Sequence, residues 1–211
     1  MKIGLVYDTE TTGMPDWHQP SDAPQQPHIV QLGACLIDLD TKDIIETLDV
    51  IVRPDGWEIP EEATEVHGIT TAQALADGIP EVEAVEQLLA MWQRAEVRIG
   101  HNESFDARII RIATKRYFDE GTQEAWKAGK EAAECTAKLS TKILQLPPTE
   151  KMKRARRFHF KTPNLTEAYG FFTGVELENA HSAMADTLAC AEVYFGVQAH
   201  NAKPEESASG Q

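Results

Sequence analysis

Carboxylates stand at the ends of predicted elements in three separated parts of the sequence. Asp8 and Glu10 are two residues apart on a predicted strand, so both side chains point to one face of it. Asn102 and Asp106 are four residues apart across a predicted helix start and can share one face of that helix. Asp186 begins an apolar row at helical spacing that continues through Cys190, Val193 and Val197. A carboxylate in such a row is costly to desolvate unless it is paired or bound to a metal.

Each of these acids also has an ordinary structural explanation when it is taken alone. Asp8 could simply end a strand, and Asp106 and Asp186 could be first-turn acids that the helix dipole favours. The joint pattern is more informative, because three separated segments each place a carboxylate beside residues that suit catalysis.

The overall charge of the chain excludes one common mode of nucleic-acid binding. The 211 residues include 20 Lys and Arg against 34 Asp and Glu, a formal net charge of −14 at pH 7. A broad basic face needs an excess of Lys and Arg, so a protein held to nucleic acid mainly by such a face is excluded. Recognition of phosphates through metal ions on clustered carboxylates is compatible with the charge.

Length and cysteine content bound the domain organisation and the compartment. The length predicts one domain over residues 1–199, with a small, polar and disordered tail over residues 200–211. Cys35, Cys135 and Cys190 are far apart, so neither a disulfide framework nor a cysteine zinc site is expected. Asp8 comes too soon after the N-terminus for the sequence to begin with a signal peptide. No apolar run approaches the roughly 20 residues that span a bilayer. We therefore expect a soluble, cytoplasmic protein without a membrane partner.

The strands that must position the acids are predicted from alternation. Residues 3–10 form a core strand with two acids at its carboxyl end, and residues 28–38 and 44–52 complete an antiparallel meander. A long proline-rich loop over residues 14–27 separates the first two strands. Two shorter strands are predicted over residues 97–100 and 135–137.

Helical periodicity accounts for most of the remaining sequence. Helices are predicted over residues 80–94, 104–117, 138–145, 164–172 and 182–199. Ser104 and Ser182 are the expected N-caps of two of these helices. Strands interleaved with helices indicate an α/β sheet with helices on its faces.

Three segments resemble the motifs of the DEDDh, or DnaQ-like, 3′–5′ exonucleases. Residues 8–13 (DTETTG), 101–106 (HNESFD) and 181–186 (HSAMAD) match D-x-E-T-T-G, N-x-x-F-D and H-x-A-x-x-D in the family's order. Residues 66–70 (VHGIT), preceded by Glu62, resemble a further family segment between the first two motifs. The resemblance covers nearly the whole chain, from about Lys2 to Val197.

This resemblance implies an RNase H-like fold, with a five-stranded mixed sheet flanked by helices, and a two-metal site. Asp8, Glu10, Asp106 and Asp186 would be catalytic and would hold two divalent cations. All-oxygen ligands select hard ions such as Mg²⁺ or Mn²⁺, and four converging acids need positive charge to relieve their repulsion. Two such ions, about 3.5–4 Å apart, can bind a phosphodiester, lower the pKa of the attacking water and steady the leaving oxygen.

His181 is the expected general base. It precedes Asp186 by five residues, which on a continuous helix would rotate it by about 140°, so we expect it on the loop before the helix. An imidazole titrates near neutrality and could take the proton from the attacking water. The other histidines singled out are expected to be structural or solvated, namely His18, His28, His101, His159 and His200.

The resemblance also implies a set of contacts to the 3′-terminal nucleotide. The expected substrate-binding residues are Thr11, Thr12, Met14, Glu62, His67 and Asn102. Among them, Met14 would wedge against the terminal base, and Glu62 and His67 would contact the terminal sugar or its hydroxyl.

One dense basic run interrupts the acidic chain at residues 151–157. It is either a solvated loop or a contact to the nucleic-acid backbone, made by Lys151, Lys153, Arg154, Arg156 and Arg157. Five phosphate-reaching side chains would offset the global repulsion. Phe158, Phe160 and Trp126 could stack on bases or pack in the core.

The sequence therefore predicts a metal-dependent 3′–5′ exonuclease that releases nucleoside 5′-monophosphates from nucleic-acid 3′ ends, with DNA favoured. The alternatives are an RNA 3′-end-trimming exoribonuclease of the same fold and a catalytically silent module that binds nucleic-acid ends. The complete acidic set with His181 argues against the silent module. No polymerase or clamp partner is expected, because the short tail has no recognisable tethering segment.

Overall fold

The first three strands form the antiparallel meander predicted from the sequence. In the computed structural model, which describes residues 1–202, they are β1 (Ile3–Thr11), β2 (Ile29–Asp38) and β3 (Ile44–Arg53). β1 pairs with β2, and β2 pairs with β3 on its other side. Every residue of β2 is buried, because the strand lies between two others with α-helices against both faces.

Parallel strands complete the sheet. β5 (Val97–Gly100) pairs with β1, and β6 (Ala133–Cys135) pairs with β5. β4 (Ile79–Pro80) pairs with the outer edge of β3, which makes the order β4-β3-β2-β1-β5-β6. The expected five strands are thus corrected to six, because a two-residue strand has no alternating pattern to recognise. The mixed sheet flanked by helices confirms the predicted α/β class.

Nine α-helices lie within residues 1–202: α1 (Glu61–His67), α2 (Thr71–Asp77), α3 (Glu81–Trp92), α4 (Ser104–Tyr117), α5 (Glu120–Ala128), α6 (Thr136–Leu144), α7 (Glu150–Arg154), α8 (Leu165–Thr173) and α9 (Ala183–Asn201). The five predicted helices are confirmed, with ends shifted by at most two residues. The sequence did not predict α1, α2, α5 and α7. These helices have five to nine residues each, too few turns for a clear apolar period.

The core occupies both faces of the sheet. Leu5 and Tyr7 of β1 pack with side chains of α3 and α4 on one face, including Leu88 and Ile109. Val6 faces the opposite side and belongs to the cluster that includes Cys190, Tyr194 and residues of β2 and β5. The alternation predicted for β1 is therefore confirmed.

The proline-rich loop 14–27 contains no helix or strand, as predicted, but its own side chains close it. The Gln26 side chain accepts a hydrogen bond from the Asp16 backbone N–H at 3.1 Å and donates to the Asp16 carbonyl at 2.9 Å. Arg108 of α4 donates to the Gln19 carbonyl at 2.6 Å. The loop is thus tied both to itself and to α4.

Several expectations about the ends of elements are wrong. Glu103, not Ser104, holds the N-cap position of α4, and Ser104 is the first helical residue. Ser182 holds the N-cap position of α9, but its side chain makes no cap hydrogen bond. The strand predicted over residues 135–137 ends at Cys135, because the next residue already begins α6.

The tail predicted over residues 200–211 is helical at its start, since α9 continues through Asn201. The rest of this prediction, residues 203–211, lies outside the described residues. Cys35, Cys135 and Cys190 are all free thiols. None of the helices within residues 1–202 has the length and apolar character needed to cross a membrane.

Candidate active site

The carboxyl end of β1 carries the first two predicted acids to the middle of the sheet. Asp8 pairs with Gly33 of β2, and Glu10 pairs with Gln31. Both acids are partly buried. They point to the same side of the strand, as the two-residue spacing predicts.

Asp106 reaches the same place from the first turn of α4. Its side chain is only 2 % exposed. Thr9 donates two hydrogen bonds to Asp106 Oδ1, from its backbone N–H at 3.0 Å and from its hydroxyl at 2.8 Å. These bonds join the start of α4 to β1 and orient the carboxylate. Thr9 is a positioning residue that sequence reasoning passed over, although it lies between the two acids of the first motif.

The fourth acid, Asp186, lies in the first turn of α9 and is held there by β2. A Cβ atom on Gly33 would lie 2.4 Å from the Ala183 carbonyl carbon, so only glycine lets the helix end approach the strand this closely. The Gln31 side chain accepts a hydrogen bond from the Ala183 N–H at 3.1 Å. Asp186 is 9 % exposed, and the apolar row predicted behind it is buried.

Burial raises the pKa of all four carboxyl groups. The pKa of Asp8 rises well above its ordinary value because of burial and the charges of the other three acids. Burial, then the charges of Asp186 and Asp106, raises the pKa of Glu10 to about 7. Burial also raises the pKa of Asp106 to about 7, although the hydrogen bonds from Thr9 oppose this. The acids are close enough to repel one another, and added positive charge would stabilise their ionised forms.

This donor set fits divalent cations. Of the four acids, Glu10 and Asp186 each offer an oxygen atom, and these two atoms lie within 4.8 Å of each other and of a ring nitrogen of His181. Asp186 Oδ1 is buried and has no hydrogen-bond partner among residues 1–202. None of the ion pairs in that range involves the four acids. Buried carboxylates with a free oxygen and no counter-charge are the arrangement that a hard cation satisfies.

His181 lies on the loop before α9, as predicted, and its side chain is exposed. Its backbone is left-handed, with φ 72°, a conformation that costs a non-glycine residue about 1–3 kcal/mol. The His181 N–H donates to Asp186 Oδ2 at 3.2 Å, which holds the loop in place. The imidazole thereby lies beside Glu10 and Asp186, where it can exchange a proton with a molecule held at the acids.

A cavity of about 530 Å³ is lined by Glu10 and its neighbours in β1, and we call it the cleft. Five of the six predicted substrate residues line it: Thr11, Thr12, Met14, Glu62 and His67. Met14 is 74 % exposed. Burial lowers the pKa of His67. Phe105 also lines the cleft; it belongs to the second motif but was not predicted to contact substrate.

Asn102 does not join the cleft residues. It lies on the exposed turn before α4 with a left-handed φ of 69°, so helical i, i+4 spacing does not apply to it. The expectation that Asn102 and Asp106 share a helix face is therefore wrong. The neighbouring His101 is structural, as predicted, because its ring contacts the Thr136 hydroxyl at 2.9 Å and the Pro163 carbonyl at 3.1 Å.

The basic segment, residues 151–157, includes all of α7 after Glu150 and the turn that follows the helix. All five predicted cationic side chains are exposed: Lys151, Lys153, Arg154, Arg156 and Arg157. Lys153 pairs with Glu150 at 2.8 Å. Phe158 and Phe160 are exposed by 71 % and 45 %. Of the two roles predicted for Trp126, stacking on a base or packing in the core, the structure shows core packing. Its side chain is buried, and its Nε1 donates to the Ala107 carbonyl.

The fold is that of the exonuclease class. The family model described as Exonuclease (RNase_T) matches residues 5–194. The chain belongs to this family, the DEDDh or DnaQ-like 3′–5′ exonucleases indicated by its motifs.

Solved structures of exonuclease I share the fold. The complex of Escherichia coli exonuclease I with a dT13 oligonucleotide has a TM-score of 0.69 at 20 % identity, over 94 % of this chain and 41 % of that one. The zinc-bound E. coli exonuclease I complex with single-stranded DNA gives the same values. A product-bound exonuclease I has a TM-score of 0.69 at 19 % identity, over 94 % and 43 %. The chain thus spans less than half the length of these structures. No curated protein matches it.

Proposed function

We propose that this chain is a metal-dependent 3′–5′ exonuclease that hydrolyses the terminal phosphodiester of a nucleic acid, preferably DNA, and releases a nucleoside 5′-monophosphate. One observation carries the proposal: three distant segments bring four acids and His181 together beside a cleft of about 530 Å³. Family membership supports exonuclease activity. A dead member would be expected to lack one of these five groups, and none is missing.

Asp8, Glu10, Asp106 and Asp186 would hold two Mg²⁺ or Mn²⁺ ions. When bound, such ions supply Lewis-acid stabilisation of the phosphodiester and of the leaving oxygen, and they acidify the attacking water. The chain contributes the placement of the carboxylates. Thr9 orients Asp106, and the start of α9 orients Asp186 through the His181 N–H.

His181 serves as the general base in this proposal. Its ring is exposed and adjoins Glu10 and Asp186, so it can accept the proton of the attacking water at an imidazole nitrogen. The proton then passes to solvent, because the ring is open to it. The left-handed backbone at residue 181 and its bond to Asp186 keep this loop at the acids.

The cleft is the proposed site of the 3′-terminal nucleotide. Thr11 and Thr12 would hold its backbone, and the exposed Met14 would pack against its base. Glu62 and His67 of α1, which also line the cleft, would contact the sugar and its 3′ hydroxyl.

The basic segment would hold the phosphates that precede the terminal nucleotide. Its exposed cations oppose the net charge of −14. The Pro163 carbonyl, six residues after the segment, contacts His101, the first residue of the second motif. DNA is the preferred substrate because the exonuclease I structures of the same fold contain deoxyoligonucleotides.

The proposal is tested on purified protein with end-labelled single-stranded DNA, duplex DNA and RNA of one sequence, in Mg²⁺, Mn²⁺ or EDTA. A 5′ label should give a ladder that shortens from the 3′ end, and a 3′ label should appear at once as mononucleotide. EDTA should stop both reactions. Asp8→Asn is the inactive control.

The assay distinguishes the candidate functions, because each predicts a different result. RNA degraded faster than DNA would assign the chain to 3′-end trimming of RNA. Binding of 3′ ends without cleavage in either metal would indicate the silent end-binding module. Internal cuts, or cleavage that persists in EDTA, would overturn the proposal.

A further inference from the structure

A second pocket, separate from the cleft, lies against the opposite side of α4 from Asp106. It has a volume of about 220 Å³, and the residues that concern the inference are Trp17, Ser104, Arg108, Arg111, Lys127 and Lys130. Arg111 follows Asp106 by five residues, which rotates it by about 140° around the helix. A molecule in this pocket would therefore not touch the four acids.

The pocket concentrates positive charge that the described residues leave uncompensated. Arg98 pairs with Glu103, and Lys127 pairs with Glu124, but no ion pair in residues 1–202 involves Arg108, Arg111 or Lys130. Three unpaired cations around one cavity are unusual in a chain with a net charge of −14. An anion in the cavity would relieve their mutual repulsion.

Each of the two arginines has one buried nitrogen without a hydrogen-bond partner among residues 1–202, and a terminal nitrogen of Arg108 donates to the Gln19 carbonyl. Arg108 is 9 % exposed, and its Nε is buried without a hydrogen-bond partner. Nε of Arg111 is buried and unpartnered in the same way. Burial, then the charge of Arg108, lowers the pKa of Arg111. Both arginines line the pocket, and guanidinium groups are suited to bind phosphate oxygens.

An aromatic surface completes the pocket. Trp17 is 53 % exposed, and the Arg108 guanidinium lies 5.7 Å from its ring centroid. The loop that carries it is closed by Gln26 and tied to α4 through the bond from Arg108 to Gln19. Trp17 is thus presented from an anchored segment. An exposed ring beside phosphate donors is how nucleotides are commonly held.

We propose that the second pocket binds a nucleotide, with its base on Trp17 and its phosphate on Arg108 and Arg111. The same loop carries Met14 in the cleft and Trp17 in the second pocket, so it connects the two sites. The occupant is either a nucleotide of the bound strand or a free nucleoside monophosphate, which share this chemistry. Binding of a nucleotide of the strand rests on the proposed function. Binding of a free nucleoside monophosphate requires only the pocket.

The test follows the Trp17 indole N–H by NMR in protein labelled with ¹⁵N-tryptophan, in EDTA so that no substrate is cleaved. Deoxyadenosine monophosphate should shift this signal, and deoxyadenosine should shift it far less. Arg111→Ala should weaken the monophosphate titration by about tenfold or more, because it removes a charge-assisted contact. Arg111 suits the test because, unlike Arg108, it makes no bond to the loop. Lys2→Ala, which removes an exposed charge just before β1, is the matched control.

Oligothymidylates of four and twelve nucleotides distinguish the two sources. If the pocket holds part of the strand, the longer oligonucleotide should shift Trp17 at a lower concentration than the monophosphate, and Arg111→Ala should remove that advantage. If the pocket holds free nucleotide, only the monophosphate should shift the Trp17 signal. A Trp17 signal that does not move, or that moves equally in Arg111→Ala, would overturn the proposal. If an oligonucleotide shifts the Met14 methyl signal but not the Trp17 signal, the second pocket does not bind nucleotide and only this inference is contradicted. The nuclease activity is tested separately, by the labelled-strand assay.

Discussion

The side-chain oxygen of Gln31 on β2 accepts a hydrogen bond from the backbone N–H of Ala183, the first residue of α9, at 3.1 Å. The same side chain donates from Nε2 to Asp49 of β3 at 2.8 Å. Gln31 thus satisfies, from the sheet, one of the N–H groups at the start of α9 that have no partner within the helix. Because Asp186 is in the first turn of α9, this bond links the sheet to the position of one of the four proposed metal-binding acids.

Gln31→Ala should therefore affect both stability and activity. It leaves a buried N–H at the start of α9 without a partner, which should lower the free energy of unfolding by about 1–3 kcal/mol. Displacement of Asp186 should lower kcat and raise the Mg²⁺ concentration needed for half-maximal activity, while KM for DNA changes less. Urea denaturation and a Mg²⁺ titration of activity measure the two effects.

Gln87→Ala, which removes an exposed glutamine from α3, is the matched control and should leave both quantities unchanged. A Gln31→Ala protein that is less stable but keeps its Mg²⁺ dependence would show that the bond supports the fold without positioning Asp186.

The acids themselves could be predicted from the sequence, because strand and helix periods determine which residues share a face. Asp8 and Glu10 follow the two-residue period of β1, and Asp186 leads a buried helical row. The contacts that position the acids could not be predicted. Gln31 and Ala183 are separated by 152 residues, and Gly33 matters only because the start of α9 passes 2.4 Å from where a Cβ would be.

The wrong predictions share a local cause. Asn102 matched a helical spacing, but the chain turns through a left-handed residue there before α4 begins. Ser182 has the residue type and position of an N-cap, yet its side chain makes no cap bond, and the side chain that bonds the start of α9 is that of Gln31, to the Ala183 N–H. Side-chain chemistry near a helix start predicts where the helix begins better than it predicts which group satisfies the backbone.

His181→Ala should leave the fold intact, because the side chain is exposed, and should lower kcat by roughly 10²–10⁴-fold. Added imidazole should restore part of the activity if the ring acts as a base. His200→Ala, at the far end of α9, is the matched control. Mn²⁺ affinity, measured by electron paramagnetic resonance, should not change in His181→Ala. A large loss of Mn²⁺ affinity would instead make His181 a metal ligand.

Without divalent cations, the protein should lose stability as the pH rises from about 4 toward 7. In the folded state the pKa of Glu10 and that of Asp106 are raised to about 7, whereas carboxyl groups of an unfolded chain titrate near pH 4. Stability from these groups is therefore fully present below the unfolded pKa and is lost as the pH passes the folded one. Thermal unfolding in EDTA from pH 5 to 8 measures this slope.

Mg²⁺ should raise Tm more at pH 8 than at pH 5, because it binds the ionised carboxylates. Asp8→Asn should raise Tm in EDTA at pH 8 and reduce the gain from Mg²⁺, since it removes one of the repelling charges. Asp22→Asn, at an exposed loop position, should do neither. An Asp8→Asn protein with the wild-type response to Mg²⁺ would exclude Asp8 from the cation site.

Glu81, the first residue of α3, joins the end of the proline-rich loop to two helices. Its buried carboxylate accepts hydrogen bonds from the Ile29 N–H at 2.9 Å and the Tyr117 hydroxyl at 2.8 Å, and it contacts His28 Nδ1 at 2.8 Å. Burial alone would raise the pKa of Glu81, but these bonds outweigh it and lower the pKa. Arg116 lies 3.6 Å away as a further counter-charge.

Glu81→Gln should destabilise the protein by about 1.5–3 kcal/mol at pH 7, because it replaces charge-assisted bonds with weaker ones. The depressed pKa means that the contribution of Glu81 is present above its unfolded value, near pH 4.3, and is lost as the pH falls through the folded value. The difference in Tm between wild type and Glu81→Gln should therefore shrink between pH 5 and pH 3. Glu83→Gln, an exposed change two residues further along α3, should match wild type throughout. A difference in Tm that stays constant down to pH 3 would show that Glu81 acts through packing and not through its charge.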